Sequence, residues 1–326
     1  MKKIFKLLFV AAFIFCLSFN PVTANAETDG SYILGGFPIG IQIQTRGAYV
    51  VSIDEVICSD GVFSPARDAG INTGDVILSV DGKDINSNSD LFSVLSAYDG
   101  GELIIEIERQ DEKIIKNVTP CKDVDGNVKL GISVRDNLTG IGTVTCIDLN
   151  GNFVALGHPV IDGDGKNVEI VDSKVFNCSI YGIIKGRRGH AGELKGIILE
   201  DEVTGKLIEN TPTGIYGKFD KSIVGKKYKL GNGKIGKACI FACVDGTTVK
   251  EYSISIVKSE KNSHNKDYVV KITDKELLNL TGGIVQGMSG SPIVQSGKIV
   301  GAITHVFIND PTRGFGICAS KILPMK

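Results

Sequence analysis

Tryptophan is absent from the 326 residues, histidine occurs only four times, and neither sign of charge is in excess. The 36 basic and 37 acidic residues leave a formal net charge of −1, which removes the electrostatic case for a nucleic-acid partner. Charged residues make up 22% and hydrophobic residues 42%, so the chain can bury a core and is not of the disordered class. At roughly 100–200 residues per domain, the length predicts about two domains.

Cysteine is present, but not in a metal-binding pattern. An odd number of cysteines follows residue 26, without the paired CxxC spacing of a structural zinc site. Residues 123–127 and 162–165 are rich in Asp and Gly but lack the later glutamate of a calcium loop, so we predict hairpin turns there. We therefore expect no metal and no organic cofactor, and free thiols at Cys58, Cys121, Cys146, Cys178, Cys239, Cys243 and Cys318.

Long apolar runs are lacking except at the N-terminus. Three lysines precede the apolar residues 7–19, and Ala24-Asn25-Ala26 follows them. This order is typical of a secretory signal, and the apolar run is shorter than the roughly 20 residues of a membrane-spanning helix. We predict that residues 1–26 are a signal peptide or an N-terminal membrane anchor and that the rest of the chain is exported.

Glycine is abundant, with 40 residues, and suits many tight turns between short strands. Residues 32–120 read as a compact unit of strands with two short helices, and residues 121–130 as a polar linker. Residues 131–326 alternate short apolar runs with glycine turns, which favours a β-barrel or sandwich. The sequence therefore predicts a mostly β protein with two domains.

A segment of the first unit, AGINTGDVILSVDGKDI at residues 69–85, resembles a PDZ domain. A PDZ domain binds an extended peptide between a sheet edge and a helix. The resemblance implies that residues 39–44 form this edge and residues 89–98 the helix, while the loop 34–37 offers N–H groups to a terminal carboxylate. A flexible lead into the first strand is the alternative role of the loop glycines. The predicted groove residues are Gly35, Gly36, Ile39, Ile41, Ile43, Leu91 and Leu95.

The most informative motif is Gly287-Met288-Ser289-Gly290-Ser291-Pro292, which has the Gly-x-Ser-Gly-x-Pro pattern of the nucleophile loop in trypsin-like serine peptidases. Glycine before the serine lets the backbone turn, so that the amides of Gly287 and Ser289 point at one oxyanion. The hairpin that follows, residues 294–305, fits a wall of the substrate pocket, with Thr304 and His305 lining it. We predict that Ser289 is the nucleophile.

A serine nucleophile needs a base, and His158 is the predicted one because it ends an apolar strand among small residues. His190 and His264 lie in polar loops. His305 follows Ser289 closely in sequence; we expect it to line the pocket, and it is the alternative base.

Four segments together resemble the stage IV sporulation protein B family: residues 137–145, 155–158, 281–293 and 304–312. These are secreted serine peptidases of endospore-forming bacteria. The resemblance implies a PDZ domain followed by a trypsin-like double β-barrel serine peptidase domain. It also implies a triad of Ser289, His158 and Asp274. From the residues alone, Asp274 is equally the N-cap of a helix, and two further carboxylates could orient the base instead, Asp172 and Asp201.

The same resemblance implies a sporulation signalling endopeptidase. Such an enzyme cleaves itself and then a membrane-bound regulator of an intramembrane protease, which leads to activation of a late sigma factor. It acts in the space between the forespore and mother-cell membranes. Two other functions remain open at this stage. One is a general envelope quality-control protease, although those proteins place the PDZ domain after the protease; the other is a non-catalytic PDZ scaffold.

Overall fold

The computed structural model describes residues 30–162, 165–260 and 265–323, so the predicted signal segment lies outside the described residues. The prediction of a mostly β protein is confirmed. Helices are few and short: α1 (Pro65–Asp68), α2 (Asn88–Ser96), α3 (Lys275–Thr281) and α4 (Ala319–Ile322). In the part of the chain described, no helix is both long and apolar enough to cross a membrane.

The strands are β1 (Ser31–Leu34), β2 (Pro38–Ile53), β3 (Val56–Cys58), β4 (Gly61–Phe63), β5 (Val76–Val80), β6 (Lys83–Asp84), β7 (Leu103–Arg109), β8 (Glu112–Val118), β9 (Cys121–Lys122), β10 (Val128–Lys129), β11 (Ile132–Ile147), β12 (Asn152–Ala155), β13 (Asp172–Ile184), β14 (Glu193–Thr211), β15 (Gly214–Phe219), β16 (Lys227–Leu230), β17 (Gly236–Ala242), β18 (Lys250–Ser259), β19 (Tyr268–Ile272), β20 (Pro292–Gln295), β21 (Lys298–Val306) and β22 (Arg313–Cys318).

Apolar side chains collect in separate cores. One core fills the N-terminal unit, where β5, β7 and β8 pack with α1 and α2. A second core lies among β2, β11, β12, β13 and β15, and a third among strands β17 to β22 with α3. The second core combines β2, from the N-terminal part of the chain, with later strands, whereas the third core is formed by later residues only. The cleft described below lies where residues of both cores meet.

Two 16-residue strands, β2 and β11, join the N-terminal unit to the rest. They pair antiparallel over nearly their full length, from Ile53 opposite Ile132 to Pro38 opposite Thr143. One end of this ribbon packs in the N-terminal core and the other in the second core. The predicted linker, residues 121–130, contains the β9–β10 hairpin and leads directly into β11.

The prediction that residues 39–44 are the open edge of the PDZ groove is wrong. This part of β2 pairs with β11 on one side and with β13 on the other, so it has no free edge for a peptide. Ile39, Ile41 and Ile43 are buried in the second core. Alternation of apolar and polar residues indicated a strand correctly, but it cannot tell which neighbours a strand pairs with.

The loop of residues 34–37, which was predicted to bind a terminal carboxylate, has a structural role instead. The amides of Gly35 and Gly36 donate to the carbonyls of Thr145 and Val144, at 3.0 and 2.7 Å, and so cannot receive a ligand. A Cβ atom on Gly35 would collide with the Val144 carbonyl. These glycines allow close backbone packing against β11, which corrects the predicted binding role.

Candidate active site

The predicted nucleophile, Ser289, lies in a tight loop between α3 and β20. Gly287 and Gly290 flank its short segment with φ angles of 95° and 96°, which favour glycine over residues with a side chain. A Cβ atom on Gly290 would also collide with the carbonyl of Thr143. Two glycines at these positions are therefore what allows the loop to turn against β11.

Two backbone amides of this loop are free. Within the described chain, the N–H groups of Gly287 and Ser289 donate to no protein acceptor, whereas those of Met288 and Gly290 donate to Val285 and Ile303. Free, fixed N–H groups beside a serine are what an oxyanion hole requires. The arrangement is the one the sequence motif predicts for these two amides.

His158 follows β12 and lines the same cleft as Ser289, with a volume of about 650 Å³. Its Nδ1 lies 2.9 Å from the carbonyl oxygen of Pro159. Because a carbonyl only accepts, Nδ1 carries the proton of this hydrogen bond, and in the neutral ring Nε2 is left as the proton acceptor. Burial lowers the pKa of His158, while the bond to Pro159 raises it by a smaller amount.

The Ser289 hydroxyl donates to the carbonyl of Thr304 at 2.7 Å. It is thus not engaged with His158 in this structure, although both side chains line one cleft. A rotation about the Cα–Cβ bond of Ser289 is the change that would release the hydroxyl, since staggered rotamers are the available alternatives.

Thr304 and His305, the predicted pocket residues, lie at the end of β21 on this cleft. The rings of His305 and His158 are 5.3 Å apart between centroids. Desolvation by the surrounding protein, with nearby His158 and Lys266, lowers the pKa of His305 to about 4. The surrounding protein thus favours the neutral form of both imidazoles.

Asp274 does not meet His158. Its carboxylate accepts from the N–H of Leu277 at 3.0 Å and of Ser253 at 3.2 Å, so it is the N-cap of α3. Among residues 30–162, 165–260 and 265–323, no carboxylate hydrogen bonds with His158. The geometry thus supports the helix-cap alternative over the triad role that the resemblance implies for Asp274. It does not bring Asp172 or Asp201 to the base either.

Exchanging Asp274 for Asn separates the two roles. Asn caps helices about as well as Asp but cannot act as the carboxylate of a triad. We expect Asp274→Asn to leave kcat close to the parental value. Asp274→Ala should lower the free energy of unfolding by about 1 kcal/mol through loss of the cap. A fall in kcat of about 10⁴ for Asp274→Asn, as for a triad carboxylate, would restore the triad.

The lowered pKa of His158 predicts how activity depends on pH. A general base acts in its neutral form, so kcat/KM should rise with pH through the pKa of the free enzyme's histidine. We expect the acidic limb for a short peptide substrate to have its midpoint below 6.5, the ordinary value for histidine. A midpoint above 6.5 would contradict a buried base that only a carbonyl supports.

A second cleft lies beside α2, with a volume of about 820 Å³. Leu91, Phe92 and Leu95 line its helix side, and Ile132 and Val134 of β11 line the other. Of the predicted groove residues, Leu91 and Leu95 therefore do line a groove, but the strand opposite them is β11 and not β2.

The exposed edge of this strand follows from its hydrogen bonds. The carbonyl of Gly131 accepts from Asp54 on the β2 side, and the Val134 carbonyl accepts from Asn88 Nδ2 on the helix side. Because residues two positions apart on a strand point their backbone groups to the same edge, Ile132 shares the groove-facing edge of Val134. The triplet Leu130-Gly131-Ile132 is the apolar-glycine-apolar signal that could have located this edge.

Comparison with known proteins agrees with this architecture. A family model described as SpoIVB peptidase S55 matches residues 126–323, more than half of the chain, and a PDZ domain model matches residues 38–119. The fold is mostly β, with a PDZ domain ahead of the segment that matches the peptidase family.

Similar individual proteins match over shorter stretches or with low identity. Serine protease HTRA1 of Xenopus tropicalis is 40% identical over 76 residues, 23% of this chain and 15% of its own length. Zinc metalloprotease RasP of Shouchella clausii is 35% identical over 69 residues, 21% of this chain and 16% of its own. The chain thus spans at most a quarter of the curated relatives named first among its matches.

Among solved structures, the Rv3671c protease of M. tuberculosis in its active form is 13% identical, with a TM-score of 0.36, over 57% of this chain and 71% of that one. The HtrA-type protease AlgW with a decapeptide is 14% identical, with a TM-score of 0.35, over 58% and 51%. The extent of the family match is decisive: a PDZ domain precedes the matched segment, and the chain belongs to the SpoIVB peptidase S55 family.

Proposed function

We propose that the chain is a serine peptidase, which cleaves peptide bonds with Ser289 as nucleophile and His158 as general base. One observation carries the proposal: Ser289, its own free amide and the free amide of Gly287 line a cleft that they share with a histidine whose Nε2 is available. His158 lies 131 positions before Ser289 in the sequence. The fold therefore brings the two residues to the same cleft.

The chemistry follows from these atoms. The Ser289 hydroxyl leaves the Thr304 carbonyl and transfers its proton to His158 Nε2 as Oγ attacks the scissile carbonyl carbon. The amides of Gly287 and Ser289 bind the oxyanion that forms. The imidazolium then protonates the leaving amine, and a water molecule releases the acyl group by the same steps.

Orientation of the base falls to the Pro159 carbonyl. It fixes the ring and its tautomer through Nδ1, as the carboxylate of a triad would, but without a full negative charge. An imidazolium is therefore less stabilised than in a Ser-His-Asp enzyme, which is in keeping with the low pKa of His158.

For the biological role, we propose the one that the family resemblance implies. The chain is exported, cleaves itself, and then cleaves a membrane-bound regulator of an intramembrane protease, so that a late sigma factor becomes active. Membership of the SpoIVB peptidase S55 family supports this role. So does a PDZ domain placed ahead of the peptidase in the chain, unlike the order in general quality-control proteases.

Expression of the full chain beside its Ser289→Ala variant tests this activity. We expect mass spectrometry to find N-terminal fragments of the parental chain only, and the purified parental protein to generate the same fragments from the variant. Identical fragments in both preparations, with none added on mixing, would assign the cleavage to a host protease and contradict the proposal.

We also propose that the groove beside α2 binds an extended peptide by strand addition to residues 132–134. Phe92 lines this groove and is 70% exposed, so its replacement should not unfold the domain. We expect Phe92→Glu to change the rate or sites of self-cleavage and to leave hydrolysis of a short peptide unchanged. Ile115→Glu, at a position 67% exposed outside the groove, is the matched control. Unchanged self-cleavage in folded Phe92→Glu would make the domain a spacer.

A further inference from the structure

Thr143 is a buried polar residue of β11 that contacts the nucleophile loop twice. The residue is 3% exposed, and its hydroxyl donates to the carbonyl oxygen of Gly287 at 2.7 Å. Its backbone N–H donates to the carbonyl oxygen of Ser289 at 3.3 Å. Both carbonyls belong to the residues whose amides are free beside the nucleophile.

The direction of these contacts matters for the loop. In this loop the Gly287 carbonyl is held by β11, while the preceding carbonyl, that of Gln286, accepts from the N–H of Leu194 at 2.9 Å. The peptide planes on both sides of Gly287 are thereby fixed. A glycine at φ 95° has no side chain to hold it, so external hydrogen bonds decide which way its amide points.

The side-chain hydroxyl of Thr143 supplies a hydrogen-bond donor that the backbone of Thr143 cannot supply. Fixing the Gly287 carbonyl requires a donor, and the backbone N–H of Thr143 is already used by Ser289. The adjacent Thr145 hydroxyl makes a comparable bond, 2.7 Å long, to the carbonyl of Gly290. Two threonine hydroxyls of one strand thus hold the loop on both sides of the nucleophile.

We propose that Thr143 is a positioning residue that keeps the oxyanion hole open by fixing the Gly287 carbonyl. The proposal rests on the proposed function, since it assigns a purpose to the amides beside Ser289. Without the hydroxyl, the Gly287 carbonyl loses its donor, and the Gly287–Met288 peptide plane can rotate. This rotation moves the Ser289 amide, which follows that plane, away from the substrate. Small errors in such placement cost catalysis more than binding.

The test compares three variants of the full chain. Thr143→Val keeps the shape and removes the hydroxyl, and Thr143→Ser keeps the hydroxyl. Thr204→Val removes a similar side-chain bond, to the Val175 carbonyl at 3.2 Å, on strand β14. We expect kcat for a short peptide to fall roughly 10- to 100-fold in Thr143→Val with KM little changed. Thr143→Ser should recover most of it, and Thr204→Val should keep the parental kcat.

Labelling with a fluorophosphonate probe gives a second measurement, which a change in stability alone would not alter. When the probe reacts with the serine, negative charge develops on an oxygen atom that the oxyanion hole binds. We expect the labelling rate of Thr143→Val to fall by the same factor as kcat, at equal folded fraction by circular dichroism. Parental kcat in Thr143→Val, or no recovery in Thr143→Ser, would overturn the proposal. If instead the parental protein is neither active nor labelled at Ser289, the proposed function itself fails.

Discussion

Replacing Ser289 by Ala is expected to lower kcat for peptide hydrolysis by about 10⁶, because nucleophile and base act as a unit. What remains would come from substrate binding and the two free amides, which do not depend on the side chain. The measurement is the rate of hydrolysis of a chromogenic peptide by parental and variant protein. Parental turnover in the variant would show that Ser289 is not the nucleophile.

Ser291 provides a matched control in the same loop. Its hydroxyl is fully buried and has no hydrogen-bond partner in the structure. Removing an unpaired buried hydroxyl is close to neutral for stability, so Ser291→Ala should fold and keep its activity. Loss of activity in both alanine variants would point to damage of the loop, and loss in Ser289→Ala alone to chemistry.

The second large effect is expected at the base. His158→Ala should lower kcat by about 10⁶, comparable to loss of the nucleophile, since the hydroxyl then has no proton acceptor. His305→Gln is the control, because that ring lines the cleft 5.3 Å from His158 and is expected to affect KM more than kcat. Full activity in His158→Ala, with loss of kcat in His305→Gln, would exchange the two roles.

Local chemistry explains what could be predicted from the sequence. The nucleophile loop is recognisable because glycine is required where φ is positive and the backbone of β11 approaches, at Gly287 and Gly290. His158 is the predicted base because only four histidines exist and it closely follows a buried strand, β12. Both inferences depend on residue type and immediate surroundings.

Pairing between strands that are far apart in sequence explains what could not be predicted from the sequence. Residues 39–44 have the pattern of a half-buried strand, but whether one of their edges is free depends on β13, more than 120 residues away in sequence. The strand that lines the cleft beside α2 is the start of β11, which directly follows the segment that composition marks as a polar linker. The role of Asp274 could not be predicted for the same reason. A carboxylate before a helix caps that helix in any fold, and only the tertiary structure decides whether a histidine lies near the carboxylate.

Labelling of the folded chain with a fluorophosphonate, followed by peptide mass spectrometry, tests the central claim most directly. The reagent forms a covalent bond only with a serine that a base activates and an oxyanion hole supports. We predict one adduct, on the peptide that contains Ser289, absent from Ser289→Ala and from unfolded protein and strongly reduced in His158→Ala. A folded parental chain that takes no label, or takes it on another residue, would contradict the account.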